Sequence, residues 1–273
     1  MAEHQSKLSA TQSAIAGGIS GAFTRAIAQP LDVLKVRFQL QLEPIKTGSK
    51  YSSILQAVRS IIKEEGITTL WSGHIPAQLL SISYGIIQFA TYEKLTQICC
   101  QTDQQLYKTH KHWINFSNGA IAATAATIFS FPLDTVRTRL IAEQKTNKVY
   151  KGFSNAFIMI SKNEGPRALY KGIVPTIAQV APHAGFVSKT AIYPFDLIKK
   201  RLQIQGFQQH RKYFGRQMYC NGAIHCIKLT ISEEGFLALY KGFAPSIFKA
   251  VFVSALHFAV YDEIKHHILK LSV

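Results

Sequence analysis

Residues 30–37 read Pro-Leu-Asp-Val-Leu-Lys-Val-Arg, and residues 132–139 and 194–201 repeat the same spacing of a proline, an acid and two bases. We call these three stretches, which share the pattern P-x-D-x-x-[K/R]-x-[K/R], the proline blocks. A second block, with Glu-Gly and then an aromatic residue and a glycine, follows each of them at residues 65–73, 164–172 and 234–242. Two motifs that recur three times in one order are the signature of a repeat architecture. The sequence therefore predicts three copies of one structural unit.

The proline blocks end long runs of apolar and small residues, such as residues 10–29 and 113–131. A helix rises about 1.5 Å per residue, so runs of this length cross a hydrocarbon core of roughly 30 Å. We expect spanning helices that are kinked at their prolines. Short amphipathic stretches, typical of helices at a membrane interface, lie between the two blocks at residues 52–64, 155–163 and 222–233. The predicted fold class is an all-α integral membrane protein.

The composition agrees with a membrane protein and limits the classes of molecule that the chain is expected to bind. Hydrophobic residues make up 47% of the 273 residues and charged residues only 17%, which is apolar for a chain that folds in water. Lys and Arg outnumber Asp and Glu by 31 to 15, an excess that suits nucleic acid, an anionic membrane surface or anionic solutes. The bases fall at helix ends and in loops without an aromatic-basic recognition module, which disfavours nucleic acid.

Catalytic and metal-binding motifs are missing from the sequence. We find no phosphate loop, no hydrolase or zinc-protease motif, and no zinc-site spacing among the four cysteines. We therefore expect free thiols, no metal, no cofactor and no enzymatic activity.

The two blocks in this order resemble the motifs of the mitochondrial carrier family, and the resemblance covers nearly the whole chain. It implies a pseudo-threefold barrel of six helices in the mitochondrial inner membrane, with two spanning helices and a short matrix helix in each repeat. The expected repeats are residues 8–105, 110–186 and 187–273. The second block departs from the family at Ser72, where Lys or Arg is usual.

The resemblance also implies a gate on the matrix side, made by the acid and the first base of each proline block. These residues are Asp32, Lys35, Asp134, Arg137, Asp196 and Lys199. Three ionisable pairs at the ends of spanning segments favour a ring in which each acid meets the base of another repeat, whereas a single copy would favour a weak local pair on one helix. Gln39 and Gln203 match the family's glutamine braces, but Ile141 does not.

A second gate, on the cytosolic side, is written in the family as aromatic-acid-x-x-base. Tyr261, Asp262 and Lys265 give one complete copy. The copy that begins at Tyr92 has Thr96 in place of its base, and the second repeat has no copy. We therefore expect the cytosolic gate to be weaker than the matrix gate.

The family places its substrate contacts between the two gates, at fixed distances from the conserved glycines and prolines. The corresponding positions are Arg25, Leu80, Ser81, Thr127, Gln179, Val180, Lys189, Lys249 and Ala250. Three of them are cations inside apolar runs, Arg25, Lys189 and Lys249, so an anionic substrate is implied. The alternative is that these side chains reach out to lipid headgroups.

A phosphorylated anion suits separated cations because it offers several oxygen acceptors. Within the family, residues 35–41, 73–78 and 199–203 are similar to the carriers of thiamine pyrophosphate. The resemblance therefore implies thiamine pyrophosphate or another nucleotide-like anion as substrate, inner-membrane lipid as surroundings and a monomeric carrier.

The spacing of the proline blocks shows that the second repeat is about forty residues shorter than the first. Pro30 and Pro132 are 102 residues apart, whereas Pro132 and Pro194 are only 62 apart. The difference arises after Gly172, from which 22 residues lead to Pro194, too few for two crossings. We expect the fourth and fifth spanning helices to be truncated and fused near residues 185–187.

The deficit leaves two alternatives for the fold and two for the function. The fused segment either re-enters and leaves a breach in the barrel wall, or crosses once and inverts the orientation of the chain after Pro194. The chain is either a working carrier or a truncated variant without transport.

Overall fold

The computed structural model describes residues 10–41, 50–143, 148–180, 186–206 and 219–271. Within those residues the chain forms nine α-helices and no strand. The helices are α1 (Ala10–Leu40), α2 (Ile54–Glu65), α3 (His74–Thr102), α4 (Gln104–Ala142), α5 (Phe153–Asn163), α6 (Ile173–Val180), α7 (Phe186–Gln203), α8 (Ala223–Glu234) and α9 (Phe243–Leu271). The predicted all-helical class is confirmed.

One order of elements occurs three times along the chain. A helix that contains a proline block, α1, α4 or α7, is followed by a short helix, a 3₁₀ turn and another helix. The 3₁₀ turns are Ile67–Trp71, Pro166–Tyr170 and Phe236–Tyr240. The short helices α2, α5 and α8 coincide within two residues with the predicted amphipathic stretches. The proline-containing helices continue through their prolines, and the non-helical backbone of α4 lies at His110 (φ −113°, ψ 25°).

The glycines of the second blocks explain why the two motifs occur together. Gly73, Gly172 and Gly242 have φ values of +73°, +91° and +82°, which favour glycine. A Cβ atom at Gly73 would lie 3.1 Å from the carbonyl oxygen of Arg137, in the next proline block. At the other two glycines it would lie 3.0 Å from the carbonyl oxygen of Lys199 and 3.1 Å from that of Lys35, respectively. Each second block thus packs against the proline block of another repeat.

Each repeat also has its own small apolar core, where the end of a proline-containing helix meets the short helix and the 3₁₀ turn. The first contains Leu34, Phe38, Tyr51, Ala57, Ile61 and Leu70. The second contains Val136, Tyr150, Ala156, Ile160, Ala168 and Leu169, and the third contains Leu197, Ile198, Leu202, Cys220, Cys226 and Leu239. A further cluster, which includes Val33, Ile141 and Ile204, joins the three proline-containing helices.

The long helices expose many large apolar side chains and bury several polar ones, which is unusual for a protein that folds in water. The exposed apolar residues include Phe23, Phe89, Trp113, Phe129 and Val251. Ser20, Gln29, Asn118 and Thr127 are buried. Two stretches of the described helices, Gln104–Ala142 and Phe236–Val253, are long and apolar enough to cross a membrane.

In the region where the sequence lacks about forty residues, α6 and α7 are shorter than the corresponding helices of the other repeats. Helix α6 has 8 residues, whereas α3 and α9 have 29 each. Helix α7 has 18 residues, compared with 31 in α1 and 39 in α4. At 1.5 Å per residue, the described part of α6 is about 12 Å long. Helices α6 and α7 pack against each other, and residues 181–185 between them lie outside the described residues.

Candidate functional site

The six residues predicted for the matrix gate lie together as three ion pairs at the end of α1, α4 and α7 that contains the proline blocks, which we call the proline end. Asp32 Oδ2 is 2.6 Å from Arg137 Nη2, and Asp134 Oδ2 is 2.8 Å from Lys199 Nζ. Asp196 Oδ2 is 2.6 Å from Lys35 Nζ. Each acid thus pairs with the base of a different proline block, as predicted for a ring. The role of the ring as a gate stays a prediction.

The predicted glutamine braces contact two of the three acids. Gln39 Nε2 donates to Asp196 Oδ2 at 3.0 Å, and Gln203 Nε2 donates to Asp134 Oδ2 at 2.8 Å. At the third position the side chain of Ile141 is buried and apolar, and its carbonyl oxygen accepts from Arg37 Nε at 3.3 Å. Asp32 has a different second partner, since Lys249 Nζ from α9 pairs with its Oδ1.

A fourth cation in the ring was not predicted from the sequence. Lys200 Nζ lies 3.2 Å from Asp134 Oδ1 and donates to Thr138 Oγ1 at 2.9 Å. It also donates to the side-chain oxygen of Gln203 at 3.1 Å. The available signal was the run of three bases in the third proline block, where the first two blocks have Val36 and Thr138 at the middle position. Asp134 is therefore held by two lysines and one glutamine.

The second base of each proline block forms a bidentate pair that sequence reasoning also missed. Arg37, Arg139 and Arg201 each pair with the glutamate of their own second block, with Nη2–Oε2 distances of 2.8, 2.9 and 3.0 Å. Arg37 also donates from Nη2 to the carbonyl oxygen of Glu143 at 3.2 Å, and Arg139 Nη2 to that of Gln205 at 2.9 Å. Because these acceptors belong to the next repeat, the pairs also join neighbouring repeats.

The departure at Ser72 has a structural consequence. In the second and third repeats a lysine at this position contacts both the glutamate and the next repeat. Lys171 Nζ is 3.4 Å from Glu164 Oε2 and donates to the carbonyl oxygen of Gln205 at 3.1 Å. Lys241 Nζ pairs with Glu234 and donates to the carbonyl oxygen of Gln41 at 3.3 Å. Ser72 has no ammonium group, and its carbonyl oxygen accepts from Gln29 Nε2 at 2.8 Å.

Three of the predicted substrate contacts line one cleft of about 250 Å³. They are Leu80, Thr127 and Gln179, and the same cleft is lined by Tyr84 and by the Asp134–Lys199 pair of the ring. The ring therefore forms part of the wall of this cleft. Among the predicted cations, Arg25 donates from Nη1 to the carbonyl oxygen of Ala77 at 2.8 Å, and Lys249 pairs with Asp32. Ser81 and Ala250 are half-buried.

Several predicted residues lie where the side chains are outside the described part of the structure. These are Val180 and Lys189 among the substrate contacts, and Tyr261, Asp262 and Lys265 of the cytosolic gate. Their backbone belongs to helices α6, α7 and α9. It therefore stays a prediction that Arg25, Lys189 and Lys249 converge on one site. The cytosolic gate also stays a prediction.

Helices that expose large apolar side chains line a cleft with both polar and apolar walls, and one ion pair of a larger network lies in its wall. This combination defines a membrane transport protein. The chain belongs to the mitochondrial carrier family: the family profile described as Mitochondrial carrier protein matches residues 6–102, 108–186 and 183–272. Members of this family are transporters of the mitochondrial inner membrane and not enzymes, so the predicted absence of enzymatic activity is confirmed by membership.

Similar proteins from animals and plants cover most of the chain. The mitochondrial thiamine pyrophosphate carrier of Homo sapiens is 36% identical over 92% of this chain and 90% of its own length. The one of Bos taurus is 36% identical, with 96% and 95% covered, and the mitochondrial thiamine diphosphate carrier 2 of Zea mays is 33% identical, with 92% of each chain covered. The alignment with the human protein extends over 291 positions, about forty more than the part of this 273-residue chain that it covers.

Proposed function

We propose that this chain is built to carry thiamine pyrophosphate, or another nucleotide-like anion, across the mitochondrial inner membrane by alternating access. Its three repeats, residues 8–105, 110–186 and 187–273, would surround a central path as a multi-pass monomer in lipid. The relatives named as thiamine pyrophosphate carriers support the substrate. The observation that carries the proposal is the ring of three inter-repeat ion pairs, one of which lies in the wall of a cleft.

The closed ring corresponds to a carrier that is shut on its matrix side. Side-chain exposures in the three pairs lie between 10% and 21%, so water screens them less than surface pairs. Each pair joins two repeats, and the repeats cannot separate at the proline end until all three pairs break. Opening therefore requires another interaction that replaces part of the free energy by which the three ion pairs stabilise the closed state.

Lys249 provides a route by which a bound anion affects the ring. This lysine pairs with Asp32, which also pairs with Arg137. A phosphate group that binds Lys249 competes with Asp32 for the ammonium group, because both are oxygen anions. Asp32 is then paired with Arg137 only, so one of the three ring acids loses one of its two ion pairs. Substrate binding would thus lower the free energy of opening on the matrix side.

The cleft and two cations outside its lining offer contacts for the two parts of a thiamine-like molecule. Arg25 and Lys249 lie on helices α1 and α9, which pack together, and they offer donors for separated phosphate oxygens. Tyr84 lines the cleft with an aromatic face, on which a flat ring can stack. Leu80, Gln179 and Thr127 complete the wall around this position.

A specific observation favours a second candidate, a truncated carrier that does not transport. Helix α6 has 8 residues, and about forty positions of the human relative have no counterpart in this chain. We propose that the fourth and fifth spanning helices are shortened and fused, which breaches the barrel wall. Backbone groups exposed to lipid in such a breach would be costly.

Uptake of labelled thiamine pyrophosphate into liposomes that contain the purified chain separates the two candidates. The human thiamine pyrophosphate carrier, reconstituted in parallel, serves as the positive control. Saturable uptake that unlabelled thiamine pyrophosphate blocks would support a working carrier. No uptake above empty liposomes, with an active control, would support the truncated variant. Substrate-dependent thermal stabilisation in detergent reports binding in either case.

A further inference from the structure

Three buried positions distinguish the apolar core of the third repeat from the other two. They lie before the short helix and on its inner face, and they are occupied by Tyr, Ala and Ile in the first and second repeats. The residues are Tyr51, Ala57 and Ile61 in the first, Tyr150, Ala156 and Ile160 in the second, and Cys220, Cys226 and Thr230 in the third. The third repeat thus has two thiols and a hydroxyl where its counterparts have one ring and two aliphatic side chains.

The three changes compensate one another. In the first repeat Arg37 Nη1 lies 3.3 Å from the Tyr51 hydroxyl oxygen and donates to it. The third repeat lacks this hydroxyl, and Arg201 Nη1 donates to Thr230 Oγ1 at 3.0 Å. Cys220 is smaller than a tyrosine, while Cys226 is larger than an alanine and extends into the same core. As a result both thiols lie in one small apolar core, where each affects the pKa of the other through a hydrogen bond.

The two sulfurs differ in reactivity. The hydrogen bond from Cys226 lowers the pKa of the Cys220 thiol, and the positive charge of Arg201 acts in the same direction against the effect of burial. The same hydrogen bond, together with burial, raises the pKa of the Cys226 thiol. Cys220 is also the nearer to the surface, with 8% exposure against 0% for Cys226, and it follows the exposed Tyr219. Thiolates rather than thiols react with oxidants, so Cys220 is the nucleophile of the pair.

We propose that Cys220 and Cys226 form a dithiol site that small peroxides convert to a disulfide. The Cys220 thiolate attacks one oxygen of hydrogen peroxide, which gives a sulfenic acid and, after protonation, one water. The sulfur of Cys226 then attacks the sulfenic sulfur, loses its proton and displaces the hydroxyl as a second water. Two thiols and one peroxide thus give one disulfide and two waters. The disulfide links the segment before α8 to the first turn of that helix, and thiol reductants reverse it.

Peptide mass spectrometry of the purified full-length chain tests this site. The chain is treated with hydrogen peroxide, its remaining thiols are alkylated, and the digest is analysed without reduction. We expect the segment that contains Cys220 and Cys226 to lose the mass of two hydrogens and to regain it with dithiothreitol. Both residues alkylated after treatment, or separate sulfenic or sulfinic acids on them, would overturn the proposal. Cys99 and Cys100 in α3 are removed as serines in a parallel sample, so that exchange with them is excluded.

Matched variants come from the other repeats. Cys220→Tyr with Cys226→Ala restores the pattern of the first two repeats, and we expect it to fold and to show no mass loss. Cys226→Ser removes the second sulfur, so we expect a sulfenic acid at Cys220 that a dimedone probe labels. The opposite single variant, Cys220→Ser, leaves the buried Cys226, whose labelling should be at least tenfold weaker. Equal labelling of the two single variants would contradict the assigned roles. The site requires no transport activity, so its failure and that of the proposed function are distinguishable.

Discussion

The proline end and the opposite end of the long helices differ in how completely the three repeats contribute. At the proline end all three acids meet a base from another repeat, and every second block packs on a neighbouring proline block. At the opposite end only the last repeat has a complete aromatic-acid-x-x-base sequence, and only 22 residues lead from Gly172 to Pro194. The contacts of the proline end depend only on the nearer halves of the helices. That end can therefore assemble even in a chain whose fourth and fifth spanning helices are shortened, as we propose.

The proline end is itself asymmetric in the second partner of each acid. Asp196 has Gln39, Asp134 has Gln203 together with Lys200, and Asp32 has Lys249. Only the last of these partners is one of the predicted substrate contacts. The ring thus meets the cleft at Asp134 and Lys199, and it meets a predicted substrate cation at Asp32.

Restoring the opposite end should have the largest effect. Insertion of about forty residues after Gly185, taken from the corresponding part of the human thiamine pyrophosphate carrier, would complete two spanning helices. If the chain is the truncated carrier proposed above, we expect liposome uptake of thiamine pyrophosphate to rise from background to a saturable rate, because the insert would close the proposed breach in the barrel wall. An insert of the same length in scrambled order is the control. Robust, specific uptake by the 273-residue chain as it stands would defeat this prediction.

Reversing one charge in the ring tests the proline end. Asp32→Lys places a third cation beside Arg137 and Lys249 in a largely buried position, and we expect a loss of about 3 to 5 kcal/mol in unfolding free energy. Thermal unfolding in detergent measures it. Adding Arg137→Asp should restore part of the loss, since it re-forms the pair in reversed order.

The combination of Asp32→Lys with Lys199→Asp is the matched control. Lys199 pairs with Asp134 and not with Asp32, so this second change should give no rescue. Equal stability of the two double variants would mean that the pairs do not have the specificity that the structure gives them.

Removing the predicted substrate cation that pairs with a ring acid should have a smaller, substrate-specific effect. Lys249→Ala deletes one charge-assisted contact, so we expect thiamine pyrophosphate affinity to fall by roughly ten- to a hundredfold. Isothermal calorimetry or ligand-dependent thermal shift measures it. Leu80→Ala is the control, because Leu80 is another predicted substrate contact, lines the cleft and has no charge. An unchanged dissociation constant in Lys249→Ala would remove this lysine from the site.

The sequence predicted the features that recur. The acids, the first bases and the glutamines Gln39 and Gln203 lie at fixed spacing from a proline, so helical geometry and the repeat relationship are sufficient to place them. The short helices were predicted for the same reason.

The features that break the repeat could not be predicted in this way. Lys200 occupies a position that is variable among the proline blocks, and nothing in its spacing says that it turns towards Asp134. The pair between Lys249 and Asp32 joins residues 217 apart. Its existence depends on how α9 packs beside α1, which no local pattern encodes. The Cys220–Cys226 contact likewise needed the packing of the third core.

The smallest expected effect concerns the one second block that lacks its lysine. Ser72→Lys should supply Glu65 with the cation that Glu164 and Glu234 receive from Lys171 and Lys241. A partly exposed pair of this kind contributes about 0.5 to 1 kcal/mol, so we expect an increase of about 1 to 4 °C in the midpoint of thermal unfolding.

The reverse substitutions, lysine to serine in the other two second blocks, show how much stability such a lysine contributes. Lys241 has 6% side-chain exposure in its pair and Lys171 has 38%, so Lys241→Ser should cost more stability than Lys171→Ser. Backbone contacts at Ser72 are unaffected, because Gln29 donates to its carbonyl oxygen and not to its side chain. If Ser72→Lys left the midpoint unchanged while both reverse variants lowered it, the first repeat would have no room for the ammonium group. At the proline end, the three repeats would then share the ion pairs of the ring but not the lysine contacts of the second blocks.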